Sequence, residues 1–321
     1  MNWKSEFLNL FTSDDAKDIG KALELKRKHI PEKLYRYRSL TDENINTCRL
    51  GEIVRGELYL SHPKELNDPF EVSSILENTE PSSYMRDKED FTELFRPIME
   101  PNDFDNIFSD SRWYDRLLSY VAEKSVSPDK IETTKVALTK TIMSQFEEFN
   151  SALNDMSQKM IRLACFSTTP NNLPMWNHYT NGHTGICLEY TTQNITNLYH
   201  INRLFPVYYV DKIPDMTKLF LDKRQPKFGC MEYIAIHKLS DWSYENEWRM
   251  IFDAGSWYFD HKDVPKDFWT NGKTIQFIQP SKIIMGMNIS KEHDGKIREC
   301  AKLANIPVVK AIQTEYGLNV D

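Results

Sequence analysis

The sequence predicts an α+β protein in which a mixed β-sheet core is interrupted by a helical insertion. Segments that suit strands, alternating and rich in aromatic and β-branched residues, stand on both sides of a strand-poor stretch. Between about Pro81 and Arg162 the composition shifts to Glu, Lys, Asp and Ser with Leu, Ile, Met and Phe at helical spacing, broken at Ser109 and Ser127-Pro128. With 321 residues and 40% hydrophobic composition, the chain can bury one large core and still carry such an insertion. The expected division is N-terminal helices over 1–30, an α+β domain over 31–80 and 163–321, and the helical insertion over 81–162.

The elements follow in order. Phe7, Leu8, Leu10 and Phe11, then Ile19, Ala22, Leu23 and Leu25, give two short helices separated by Thr12-Ser-Asp-Asp. Lys33–Arg38 alternates as a strand; Ser39 to Asp42 can cap a helix running to about Leu50, with Gly51 as its stop. Glu57–Ser61 is a second strand, and the two prolines and Asn-Asp of His62–Phe70 force an irregular loop. After the insertion, strands are expected at Leu163–Ser167, Gly185–Tyr190, Phe205–Val210, Glu247–Phe252, Thr274–Ile278, Ile283–Gly286 and Val308–Ile312. Helices are expected over Cys230–Leu239 and Lys291–Ala304, and a polar loop over Gly255–Gly272.

The bulk numbers exclude some classes. A net charge of −7 and a pI near 5.7 argue against a surface that coats nucleic acid generally. Five scattered cysteines (Cys48, Cys165, Cys187, Cys230, Cys300) without a Cys-x-x-Cys give neither a disulfide framework nor a zinc ribbon. The N-terminus carries charges where a signal peptide would be apolar, and no stretch approaches eighteen apolar residues, so the expectation is a cytoplasmic protein without a membrane partner.

Chemistry concentrates in Leu239–Phe252, which packs two carboxylates and an arginine against an apolar strand. Alternation puts Glu247, Arg249 and Ile251 on one face and Trp248, Met250 and Phe252 on the other, with Glu245 joining the Glu247 side. A carboxylate pair opening a buried strand costs desolvation energy, and is found where the charge is neutralised or used. The plainer account is an ion pair of Glu247 or Glu245 with Arg249. Three further clusters lie at strand ends or in the loops after them: Tyr35-Arg36-Tyr37-Arg38; Ser61 with Asn67-Asp68-Pro69-Phe70; and Phe166-Ser167-Thr168-Thr169 through Met175-Trp176-Asn177-His178-Tyr179. Tyr244 opens the fourth, Tyr244-Glu-Asn-Glu-Trp-Arg249.

In order and local sequence these clusters resemble a large bacterial domain family of unknown function, marked by Asn-Asp-Pro-Phe, Met-Trp-x-His-Tyr and Tyr-Glu-x-Glu-Trp-Arg. The resemblance spans about residues 33–312 outside the insertion. More distantly, the opening strand, helix and strand, with Leu34-Tyr-Arg-Tyr and a glycine before Leu58, resemble the ADP-ribosyltransferase fold. That likeness implies a sheet of that type, NAD as substrate, and Arg36, Ser167-Thr168-Thr169 and Glu245-Asn246-Glu247 as the three motif positions.

Under that resemblance nicotinamide leaves NAD through an oxocarbenium-like ribose, which requires a carboxylate. Glu247 would accept from the ribose 2′-hydroxyl and stabilise the growing positive charge, Glu245 would orient the nucleophile, Arg36 would hold phosphate or ribose, and Ser167 would fix Glu247 by a hydrogen bond. Tyr37, Trp176 or Tyr179 could stack on nicotinamide. Arg38, Ser61, Asn67, Asp68, Phe70, Thr168, His178, Tyr244 and Arg249 complete the expected binding set. No metal is required, and His178, His183 and His200 with Cys165 and Cys187 match no zinc spacing.

Three functions stay open at this level. One is an NAD-consuming enzyme, a transferase acting on a protein or nucleic acid or an NAD glycohydrolase, with a role as toxin or anti-phage effector by analogy. The second is a non-catalytic nucleotide sensor or adaptor that meets a regulatory protein through the helical insertion. The third is a metal-dependent hydrolase using Asp68, His178 and Glu189.

Overall fold

The computed structural model describes residues 2–13, 15–41, 50–75, 96–110, 112–216, 229–253, 274–315 and 317–320. Its strands are β1 (Lys33–Arg38), β2 (Glu57–Tyr59), β3 (Ile161–Ser167), β4 (Ile186–Thr191), β5 (Leu204–Pro206), β6 (Tyr208–Val210), β7 (His237–Leu239), β8 (Glu247–Asp253), β9 (Thr274–Gln276), β10 (Lys282–Met285), β11 (Val308–Lys310), β12 (Ile312–Thr314) and β13 (Gly317–Asn319). Seven of them form a mixed sheet in the order β11-β10-β4-β1-β3-β8-β5, antiparallel at every step except β10 with β11. The fold is α+β.

Alternation decides what each face of the sheet holds. Leu34, Phe166, Leu188, Trp248, Met250 and Phe252 enter the main apolar core, which Ile297 and Cys300 of the helix Lys291–Ala304 help to close. On the opposite face Tyr35, Tyr37, Cys187 and Ile284 pack with Met175 and Trp176 of the helix Leu173–Tyr179. The sequence reads Thr168–Thr184 as a loop; a helix forms within it because Asn172 accepts from the Met175 N–H and Pro174 sits in the first turn. Gly185 stands where a Cβ would lie 2.2 Å from the Arg38 carbonyl oxygen, so only glycine lets the chain enter β4 this close to β1. The two N-terminal helices, Trp3–Phe11 and Ala16–Arg27, are capped by Asn2 and Asp15 and set Phe7 and Phe11 against Phe205 of β5.

Several boundaries differ from the sequence reading. Gly51 lies inside a helix, Leu50–Arg55; the stop is Gly56, whose φ of +66° a side chain would strain. The earlier part of that expected helix, 42–49, is outside the described residues, as is the whole of the polar loop expected over 255–272. The strand expected at 205–210 is broken at Val207, whose N–H donates to the Glu247 carbonyl, so β5 pairs with β8 while β6 pairs with β7. The helix from Cys230 ends at Ile236 rather than Leu239, and His237–Leu239 extends as β7.

The chain forms two compact units, Met1–Ser73 with Met156–Pro214 and Pro226–Asp321, and Ser74–Asp155 with Asp215–Gln225. The second holds the helices Pro101–Phe108 and Trp113–Ser125 and most of Ile131–Met160, around its own core of Met99, Phe104, Ile107, Phe108, Trp113 and Leu117. No strand of the seven-stranded sheet falls in it. The insertion expected over 81–162 therefore closes earlier at its C-terminal side, because Ile161 and Arg162 already belong to β3, and the return segment at 215 was not foreseen. Among the described residues no helix is long and apolar enough to cross a membrane. Cys165, Cys187, Cys230 and Cys300 are free thiols.

Candidate functional site

In the sheet unit, β1 pairs along its length with β4 but meets β3 only at Tyr35 opposite Ser167. The two central strands then part company. Where they diverge lies a cavity of about 320 Å³, lined by Tyr35 to Ser39 on one side and Cys165, Phe166 and Ser167 on the other. Ser61, Asn67 and Glu71 from the segment after β2 contribute to its wall, as do Tyr179, Lys238, Glu245 and Glu247. Its volume falls at the small end of ligand pockets.

A dense charge cluster borders it. Arg249 on β8 is fully buried and uses every N–H of its guanidinium. Nε donates to Glu247 Oε1 (2.9 Å) and Nη2 to Glu247 Oε2 (3.0 Å); Nη1 and Nη2 grip Glu71 at 2.5 and 3.0 Å; Nη1 also reaches the Ala235 carbonyl at 2.5 Å. Two carboxylates thus clamp one arginine bidentately, the geometry in which such pairs are strongest. Lys238 on β7 adds a second buried cation, 2.5 Å from Glu245 Oε2, 3.3 Å from Glu247 Oε2 and 3.9 Å from Glu71 Oε2. The other Glu245 oxygen accepts from the Tyr179 hydroxyl at 2.5 Å.

The three carboxylates answer differently to this setting. Burial alone would raise Glu247, but Arg249 and Lys238 outweigh it and bring its pKa down to about 2. Burial and the neighbouring Glu247 charge raise Glu245, against the pull of Lys238 and the Tyr179 hydroxyl. Glu71 is raised by burial despite Arg249. Burial and the Glu245 charge push the Tyr179 phenol upward, which keeps it a donor.

Local backbone explains how Glu245 and Glu247 reach one wall. Ser240–Glu245 is a 3₁₀ turn ended by Asn246 in the left-handed conformation, φ 47° and ψ 57°, after which β8 begins. Asparagine tolerates that region better than other side-chained residues. The Asn246 carbonyl accepts from the Thr168 N–H, and Asn172 Nδ2 donates to the Tyr244 carbonyl, tying the turn to the helix that carries Tyr179. Glu71 is followed by Val72, buried with φ +52°, a strained conformation for a β-branched residue that sets the direction of the loop behind the Arg249 clamp.

Of the residues singled out by sequence, Arg36, Tyr37, Arg38, Ser61, Asn67, Ser167, Tyr179, Glu245 and Glu247 line the cavity. Arg36 points from the opposite face of β1 and donates to the Tyr59 carbonyl at 2.6 Å. Ser167 does not bond the Glu247 side chain; its hydroxyl donates to the Glu245 carbonyl at 2.7 Å, and the Glu247 N–H donates to the Tyr209 hydroxyl. Glu245 is buried at the end of the 3₁₀ turn. Arg249 lies behind the wall as the clamp. Trp176 is fully buried, edge-on to Tyr37 and stacked on His183, so it packs under its loop. Asp68 accepts from the Phe70 N–H as turn chemistry, Phe70 is exposed, and His178 and Thr168 are exposed outside the lining. Tyr244 also lies outside it.

Glu71 and Lys238 were missed. Glu71 follows the Asn67–Phe70 motif directly, and the sequence puts Lys238 in the helix from Cys230 whereas it stands on a strand. Glu189, considered with Asp68 and His178 for a metal, instead accepts from the Tyr35 hydroxyl and pairs with Lys33. Among the described residues no three His, Cys, Asp or Glu side chains gather where they could hold a metal ion.

A family model described as a protein of unknown function (DUF2971) matches residues 175–250. That interval begins at Met175 beside the cavity and takes in Tyr179, Lys238, Glu245, Glu247 and Arg249. No curated protein and no solved structure matches the chain.

Proposed function

We propose that the protein cleaves the bond between nicotinamide and ribose in NAD, passing ADP-ribose to a macromolecular acceptor or to water, on a sheet of ADP-ribosyltransferase type. One observation carries this reading. Two carboxylates border a single cavity in different settings: Arg249 and Lys238 bring Glu247 down, while burial and the Glu247 charge raise Glu245 and make it the stronger proton acceptor. Environments that drive paired carboxyl groups apart mark acid–base assignments at glycosidic centres. In the reaction the C–N bond breaks with its electron pair leaving on nicotinamide, the acceptor bonds to the ribose carbon, and Glu245 takes the acceptor's proton. Arg38, which lines the cavity and pairs with Glu52 at 3.5 Å, carries the guanidinium suited to a diphosphate, while Arg36 stays committed to the Tyr59 carbonyl. Tyr179, with its phenol fixed to Glu245, positions that carboxylate.

The test is release of nicotinamide from NAD by the purified protein, with and without cell lysate, and mass analysis of modified protein and nucleic acid. Glu245→Gln should lower transfer by at least roughly a hundredfold. No release under any of these conditions would refute the reading.

A further inference from the structure

We propose that Lys238 is the positioning residue of this site: its ammonium, set between Glu245 and Glu247, holds the Glu245 carboxylate as an anion aimed into the cavity. The inference rests on the NAD reading for its catalytic meaning and on geometry for its substance. Lys238 is buried on β7 and borders the cavity, yet the proposed reaction gives it no part. Its Nζ lies 2.5 Å from Glu245 and 3.3 Å from Glu247, and 4.9 Å from the centre of the Trp242 ring, which covers it.

The charge balance shows why it is needed. Among the described residues, Glu71, Glu245 and Glu247 meet one other close cation, Arg249, whose donors are all spent on Glu71, Glu247 and the Ala235 carbonyl. Glu245 receives none of them. Its charge is opposed by Glu247 on β8 and favoured by Lys238 on β7 and the Tyr179 hydroxyl from the helix Leu173–Tyr179. The half-buried Cys165 thiol on β3, beside Glu247, and the Tyr209 phenol on β6, both pushed upward by burial, stay neutral, and Tyr244 shifts the same way. Lys238 is therefore the one ammonium in direct contact with Glu245 among the described residues. Burial would lower the Lys238 pKa, but the surrounding carboxylates, Glu247 foremost, raise it, so the cation persists across neutral pH.

The experiment follows the Glu245 carboxyl by ¹³C NMR as pH is varied, with the signal assigned by its loss in Glu245→Gln. In Lys238→Met the Glu245 titration should move up by at least about one pH unit, and the acid limb of nicotinamide release should move with it. Lys238→Arg, which keeps the charge, should leave the titration within about 0.3 pH unit of the parent even where its geometry lowers turnover. An unmoved Glu245 titration in folded Lys238→Met overturns the proposal. If that variant does not fold, the parent decides: the Lys238 ¹⁵N signal must shift as Glu245 titrates, and an unresponsive signal overturns the assignment. The titrations need no NAD. A Glu245 signal that moves as expected in a protein that leaves NAD intact upholds Lys238 and removes the NAD reading alone.

Discussion

Glu247 and Arg249 raise the question of whether a buried pair serves the fold or the chemistry, and the hydrogen bonds assign them to the fold first. Both Glu247 oxygens go to Arg249, leaving the carboxylate little freedom to follow a substrate. Removing one partner of such a buried pair costs about 3–5 kcal/mol, because the other charge is left uncompensated. Glu247→Gln keeps shape and loses charge, so its melting temperature should fall by roughly 5–10 °C, measured calorimetrically at neutral pH. The pH dependence gives a second check. With its folded pKa near 2, below the ordinary 4.5, Glu247 contributes stability that is present above about pH 4.5 and lost as pH falls through 2. The parent should lose that stability over this window, and Glu247→Gln should show a flatter acid side. An unchanged melting temperature in Glu247→Gln would mean that the clamp does not stabilise the protein. The common face of Glu247 and Arg249 was legible in the sequence because strand alternation has a fixed period. Their partner Glu71 was not, since it reaches Arg249 across 178 positions from an irregular loop that has no period to read.

At the scale of the element, the Glu-Asn-Glu segment works because its middle residue changes the backbone's course. Asn246 adopts the left-handed region between a 3₁₀ turn and β8, so Glu245 and Glu247 border one cavity although they belong to different elements. Sequence alternation reached the same facing by extending the strand backwards through Glu245, a correct outcome from a backbone that is not extended there. Asn246→Ala should therefore lose about 1–2 kcal/mol of stability, while Asn246→Gly should lose less, because glycine enters that region without a steric penalty. Denaturant unfolding of both variants measures this, and equal losses would place the effect in the Asn246 side chain, whose amide donates to the Tyr244 carbonyl, rather than in its φ. The same limit explains Lys238. A run read as one helix changes to a strand at His237, and only the strand turns Lys238 toward the carboxylates.

For the whole molecule, the informative feature is that the chain leaves the sheet unit at Ser74 and comes back to it at Met156. Composition announced that excursion; its return segment at 215 did not announce itself, because a stretch of so few residues carries no compositional signal. Within the second unit, Ser74 and Asn154 are joined by hydrogen bonds from the Ser74 N–H to Asn154 Oδ1 and from Asn154 Nδ2 to the Ser74 carbonyl, each 3.0 Å. The points of departure and return are therefore neighbours, which a short linker can span. Every residue of the cavity wall and of the Arg249 clamp lies in the sheet unit, and each unit has an apolar core of its own. A chain in which 76–152 is replaced by a short Gly-Ser linker should accordingly retain a cooperative thermal transition and the depressed Glu247 titration, since neither draws on the excised residues. If nicotinamide release survives with it, the helical unit is not required for bond cleavage. Loss of the cooperative transition would show instead that the sheet unit depends on the helical one for its stability, and the two would have to be treated as a single folding unit.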